Sequence, residues 1–274
     1  MKPLLFLAII ILFTATSCRK VCDFIRDHPD AHDSLCRVTK FYVTNILGTP
    51  DTFYLTYNTK GDPVSMLSTS HQDAPGNLDQ YYRYDRFGRL SDNMLTFIKE
   101  FGAVFWHKYA YPRKDYILDT LLVYQGDDVR GPSPNAAAIG GYGLKAYSLD
   151  AHDRIVKIWS LNDPHHPQLM EEIKYDANGN KIQSDSALKY DDKVNPYRTN
   201  KVWQFLYNDY SRNNLILNDP FVYVNNIYNE FGLPTQLVNL ENHNPNILLF
   251  GSTNIAPYIH ITYACSAPKG PINY

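Results

Sequence analysis

The apolar residues of this chain follow two patterns. Leu4 to Phe13 is an unbroken run of ten, whereas further along apolar and polar residues tend to alternate. Phe53, Leu55 and Tyr57 share one face of an extended segment and Thr52, Tyr54 and Thr56 the other, the period of two that marks a half-buried strand. Residues 106–124 read as strand, turn, strand. Around Lys201, Trp203, Phe205 and Tyr207 oppose Val202, Gln204 and Leu206, which predicts a strand with apolar residues on both faces.

A single turn recurs between the extended segments. It reads Tyr57-Asn58-Thr59-Lys60-Gly61, Tyr84-Asp85-Arg86-Phe87-Gly88, Tyr175-Asp176-Ala177-Asn178-Gly179 and Tyr228-Asn229-Glu230-Phe231-Gly232. A weaker copy at Leu149-Asp150-Ala151-His152-Asp153 has aspartate in place of glycine. The Asp or Asn positions lie 27, 65, 26 and 53 residues apart, near multiples of about 26 once one insertion is allowed. Tyr111-Pro112-Arg113-Lys114-Asp115 and Tyr207-Asn208-Asp209-Tyr210-Ser211 stand where degenerate copies are needed, and Gly126 to Gly143 reads as the inserted loop. Asp or Asn opening a type I turn accepts hydrogen bonds from the backbone ahead of it, and glycine three residues later adopts positive φ at little cost. Such a turn closes a hairpin with a bulge at the glycine. Asn58, Gly61, Asp85, Gly88, Asp150, Asp176, Gly179, Asn229 and Gly232 are therefore structural turn residues, with each Tyr placed to cover its hairpin and pair across it. The expected fold is all-β: an antiparallel meander of repeated hairpins forming a curled sheet or barrel-like domain. The 22 Tyr, 13 Phe and 3 Trp agree, since aromatic side chains suit a pleated, half-buried surface.

The apolar run has a different meaning. Preceded by Lys2 and followed by Thr14, Ala15, Thr16 and Ser17, it has the layout of a secretory signal peptide. As a helix it would reach roughly 15 Å, half of a ~30 Å hydrocarbon core. Ala15-Thr16-Ser17-Cys18 resembles the lipobox of bacterial lipoproteins, with Ala15 where that family usually has Leu. The resemblance implies cleavage before Cys18 and lipidation of its thiol. The chain then divides into a signal peptide (1–17), a polar tether (18–35) and a single hairpin-repeat domain (36–274). Arg19 and Lys20 follow the anchor in place of an acidic run, which favours a periplasmic orientation. The expected location is the cell envelope, at the outer membrane.

The segments Tyr84 to Leu90 and Tyr175 to Lys181 resemble the YD repeats of Rhs-type proteins, although this chain is too short for a toxin-enclosing shell. The whole plan is similar to a family of single-domain lipoproteins of unknown function with a porin-like fold: lipobox, tether, a cysteine-started strand such as Cys36-Arg37-Val38-Thr39-Lys40, YD-like hairpins, and a final Tyr263-Ala264-Cys265. Lys157, Lys174 and Lys201 fall in predicted strands and argue against a transmembrane barrel.

The chemistry on offer is sparse. With Cys18 lipidated, three thiols remain. Cys36–Cys265 is the preferred disulfide, because in a curled sheet the first and last strands are neighbours; Cys22–Cys36 would instead staple the tether. Cys22, His28, His32 and Cys36 have zinc-ligand types, but Pro29 breaks the helix that would align the histidines and exported cysteines oxidise. No metal or cofactor is expected. His165-His166 lies in a predicted turn, and no nucleophile–base pair stands out, so no enzymatic role is assigned. Trp106, Trp159 and Trp203 form a candidate aromatic binding face. A net charge of -2 lacks the basic excess of a nucleic-acid binder. These readings converge on an envelope-anchored, non-catalytic binding or scaffolding domain whose ligand is a glycan or a neighbouring envelope protein. The alternatives are a purely structural sheet protein and a secreted hydrolase.

Overall fold

The computed structural model describes residues 36–44, 48–70, 78–97, 103–125, 140–182, 189–216, 226–238, 250 and 258–266. The segments read from the sequence as signal peptide and tether, with Cys18 and Cys22, lie outside the described residues. Strands β1 (Cys36–Thr44), β2 (Pro50–Tyr57), β3 (Pro63–Ser68), β4 (Asp79–Tyr84), β5 (Leu90–Phe97), β6 (Ala103–Arg113), β7 (Tyr116–Gln125), β8 (Gly140–Leu149), β9 (Ile155–Ser160) and β10 (Gln168–Glu172) form a continuous antiparallel meander. On the other side of β1 the same sheet continues through β17 (Tyr258–Cys265), β16 (Pro234–Val238) and β15 (Ile227–Tyr228). The sheet has thirteen strands among the described residues, with β10 and β15 at its unjoined edges; it curls without closing. Short pairs β11–β12 (Lys174–Tyr175, Lys181–Ile182) and β13–β14 (Lys189–Val194, Asn213–Ile216) stand beside it. Gly140 to Gly143, expected in the inserted loop, open β8 instead.

The recurring turns have one geometry. In the second, the amide of Asp85 donates to the carbonyl of Arg89 (2.9 Å) and that of Gly88 to the carbonyl of Asp85 (3.0 Å). The Asp85 carboxylate accepts from the amides of Phe87 (2.8 Å) and Arg89 (2.9 Å). Asn58, Asp150, Asp176 and Asn229 repeat this pattern two and four residues ahead. Gly61, Gly88, Gly179 and Gly232 all have positive φ, between 75° and 96°. Asp153, in the weak copy, sits at φ 58°, where a Cβ costs roughly 1–2 kcal/mol and a short polar side chain recovers part of it. Asp153→Gly is therefore expected to stabilise the domain by about 0.5–1 kcal/mol, net of glycine's greater unfolded-state entropy; a lowered melting temperature would contradict the turn assignment.

Each motif tyrosine stands opposite a residue of the outgoing strand of its own hairpin, as the sequence predicts: Tyr57 with Pro63, Tyr84 with Leu90, Tyr175 with Lys181 and Tyr228 with Pro234. The hydroxyls reach further. Tyr228 donates to the carboxylate of Asp191, whereas Tyr84, Tyr111, Tyr175 and the β17 residue Tyr263 donate back to the preceding hairpin: Tyr84 to the carbonyl of Pro63 (2.6 Å), Tyr111 to Leu90 (2.8 Å), Tyr175 to Ile155 (3.2 Å) and Tyr263 to Pro234 (2.8 Å). In these bonds to the preceding hairpin the acceptor is the fifth residue after the Asp or Asn of the earlier turn. Tyr57 makes the equivalent bond to Val38 (2.6 Å). Burial pushes the hydroxyls of Tyr57, Tyr84, Tyr111, Tyr175 and Tyr263 well above their ordinary pKa, so they remain protonated donors. The Tyr of the motif thus sets the spacing between successive hairpins and aligns their turns along one edge of the sheet.

The strand predicted around Lys201 is a helix. Asn195 caps a 3-10 turn (Pro196–Thr199), and Asn200 then caps α1 (Lys201–Tyr207), its side chain accepting from the Val202 amide at 2.8 Å. Asn208, in the left-handed conformation at φ 49°, ends it. Tyr207 to Ser211 is thus a helix end and not a degenerate hairpin. A segment apolar on both faces suits any enclosed element; the Asn caps and the N-terminal proline decide for helix. α1 lies against the inner face of the sheet, where Val202 and Trp203 pack with Phe41, Phe53, Leu55, Met66, Tyr82 and Phe250. Phe53, Leu55 and Tyr57 face inward while Tyr54 is half exposed, as the alternation predicts. At the seam, Cys36 faces Cys265 across β1 and β17, and the two form a disulfide.

Candidate functional site

The aligned turn edge of the sheet and the N-terminal end of α1 enclose a groove of about 1010 Å³. Its walls come from the turns of four hairpins of the sheet, at 60–62, 88–90, 113–114 and 152–154, and from the turn of the separate β11–β12 pair at 177–179, together with Arg198, Asn200, Lys201, Gln204, Phe205, Tyr210 and Arg212. A hydrogen bond from the Asn200 side chain to the carbonyl of Gly61 (3.0 Å) docks the helix start on the first turn. Phe205 is held edge-on by Tyr109 and Tyr147, with ring centroids 4.9 and 5.6 Å apart.

The lining is strongly cationic. Arg37, Lys60, Arg89, Arg113, Lys114, Arg154, Arg198, Lys201 and Arg212 contribute to it, against the carboxylates of Asp62 and Asp153. The repeat explains this concentration. Lys60 occupies a variable position inside the turn; Arg89 and Arg154 occupy the position just after it. These side chains are free to vary while the Asp, the αL residue and the Tyr hold the fold, and alignment of the turns brings them to one edge.

The cations differ in their surroundings. Arg89 binds Asp85 through Nε (2.8 Å) and Nη2 (2.7 Å), and its guanidinium lies 4.3 Å from the centroid of the Tyr111 ring. Arg154 treats Asp150 in the same way (2.9 and 2.7 Å) and covers Tyr175 at 4.0 Å. Burial alone would raise the carboxyls of Asp85 and Asp150, but the guanidinium and backbone hydrogen bonds outweigh it and hold both below the usual carboxylate range. These two arginines are structural as much as functional. Arg37, Lys60, Lys114 and Lys201 are exposed and have no carboxylate partner among the described residues. Arg37 nevertheless has a defined seat: its guanidinium lies 5.8 Å from the centre of the Tyr57 ring, and a Cβ on Gly61 would come within 3.0 Å of it. Gly61 is thus required twice, for its φ of 96° and for the approach of Arg37. The Lys60 ammonium reaches the next turn, at Gly88. Gln204 is 6% exposed and contributes to the lining.

The candidate aromatic face does not form. Trp106 and Trp203 are fully buried in different clusters, and Trp106 spends its indole N–H on Asp92 (2.7 Å). Trp159 is half-buried and bonds Ser148 (3.2 Å). With 22 Tyr and 13 Phe to accommodate, the inner face of the sheet absorbs aromatic residues as core. His165 and His166 lie in an exposed turn around Asp163. Cys36 is spent in the disulfide and cannot serve a zinc site. Asp119 gathers His107 (2.9 Å) and the Tyr147 hydroxyl (2.9 Å), away from the groove lining. No family model matches the chain, and no curated protein is similar to it.

Proposed function

We propose that this protein is an envelope-anchored, non-catalytic binding module whose ligand is a polyanion held in the basic groove. The observation that carries the reading is the concentration of cationic side chains in one cavity of a chain whose net charge is -2: Arg89, Arg113 and Arg154 are paired with Asp85, Asp115 and Asp150, whereas Arg37, Lys60, Lys114 and Lys201 have no carboxylate partner among the described residues. Clefts lined by one sign of charge with low-dielectric walls focus field and attract the opposite charge. Guanidinium groups, prominent in this lining, match carboxylate, sulfate and phosphate oxygens in paired hydrogen bonds. The lipobox-like Cys18 and the polar tether support placement of the groove near a membrane surface.

The test is titration of the mature protein with dextran sulfate and with uncharged dextran. Dextran sulfate is expected to bind with an affinity that falls steeply as salt is raised, because counter-charges screen exposed contacts beyond about 10 Å at 0.1 M; dextran is expected not to bind. Equal behaviour of the two polymers contradicts the reading. Anchoring is tested separately: Cys18→Ser is expected to abolish fatty-acid labelling and membrane fractionation, and unchanged labelling contradicts a lipidated Cys18.

A further inference from the structure

We infer that the polyanion is an acidic glycan, bound lengthwise along the row of turns; this rests on the groove being an anion site. The spacing of the cations carries the first step. Strands in a sheet lie about 4.8 Å apart, so turns of successive hairpins follow at roughly 10 Å along the sheet edge. Arg37 and Lys60 stand at the first turn and Lys114 two hairpins on, which separates them by roughly 20 Å along that edge. A compact anion engages one of these positions at a time. A chain carrying acidic groups at regular intervals engages them together.

The second step concerns what lies between the charges. Single-stranded nucleic acids bind by stacking bases on open aromatic faces along a basic groove. Here the Tyr111 ring is covered by the Arg89 guanidinium and Phe205 is clasped by two tyrosines. The wall instead presents the side-chain amide of Gln204, whose donors and acceptor match sugar hydroxyls. A glycan bearing a carboxylate or sulfate on every sugar or every second sugar supplies both the repeated charge and the hydroxyls.

The experiment is calorimetric titration of the mature protein with oligogalacturonates of two to ten sugars and sulfated dextran oligosaccharides of the same lengths. Neutral dextran oligosaccharides, inositol hexakisphosphate and a short single-stranded oligonucleotide complete the panel. Acidic oligosaccharides of either kind are expected to bind, with affinity rising about tenfold or more from the shortest to the longest. Lys114→Gln is expected to remove most of that gain with the melting temperature unchanged, and Gln204→Leu to weaken the glycans without weakening inositol hexakisphosphate. Tighter binding of inositol hexakisphosphate or the oligonucleotide than of any acidic glycan, or no dependence on glycan length, overturns the glycan assignment and leaves the anion site standing. Failure of every polyanion to bind overturns both.

Discussion

Replacing Cys36 and Cys265 together with serine is expected to cost the domain about 5 kcal/mol of stability, or roughly 10–20 °C in melting temperature for a domain of this size. The bond joins residues separated by 229 positions, and in the chain-entropy account the constraint on the unfolded state grows with the loop it closes. The folded state has little need of it to hold register, since Arg37, Val38, Lys40, Phe41 and Tyr42 already pair with residues of β17. Its effect therefore falls chiefly on the unfolded chain. Scanning calorimetry of oxidised wild type and the double variant measures it. An unchanged melting temperature, or a Cys22–Cys36 peptide in a non-reducing digest, contradicts the pairing.

Trp203→Ala is expected to cost a further kind of stability, about 3–5 kcal/mol from the lost transfer energy and the cavity left behind. Trp203 is fully buried, edge-on to Tyr82 at 5.4 Å and tilted against Phe250 at 5.1 Å. It is also the side chain that fixes α1 to the inner face of the sheet, and α1 presents Lys201, Gln204 and Phe205 to the groove. Loss of Trp203 should accordingly loosen the groove as well as lower the melting temperature. Trp159→Ala, at a half-buried site whose indole N–H donates to Ser148, is expected to cost much less. Equal shifts for the two variants contradict the placement of α1 in the core.

The hairpins were legible because their turn chemistry is local. Asp85 needs only its own four following residues to build the turn, so Tyr-Asp-x-x-Gly announces itself in the sequence, and Asp153 could be recognised as the αL residue from position alone. The destination of the Tyr hydroxyl was not legible, since its acceptor belongs to another hairpin, 21 residues away for Tyr84. The helix was misread because Trp203, Phe205 and Val202 satisfy both a two-sided strand and an enclosed helix; Asn200 before them was the signal to follow. The groove escaped for a different reason. Lys60, Arg89, Lys114 and Arg154 each read singly as a solvated turn residue, and the net charge of -2 averages them with carboxylates spent elsewhere, such as Asp51, which accepts from Ser68, Thr69 and Ser70. Tabulating charge at the variable positions of the aligned repeat would have exposed the basic row.

The most direct test of the groove compares two pairs of charge reversals with the same effect on net charge. Lys60→Glu with Lys201→Glu places both changes in the lining, whereas Lys145→Glu with Lys189→Glu places them on exposed residues outside it. Affinity for dextran sulfate is then measured at fixed ionic strength, with melting temperatures as the check on folding. The groove pair is expected to weaken binding by about 100-fold, on the order of 1.4 kcal/mol for each lysine, and the outer pair by no more than a few-fold through the long-range field. Equal losses for the two pairs, with folding intact, would mean that the polyanion answers to overall charge and that the groove is not its site.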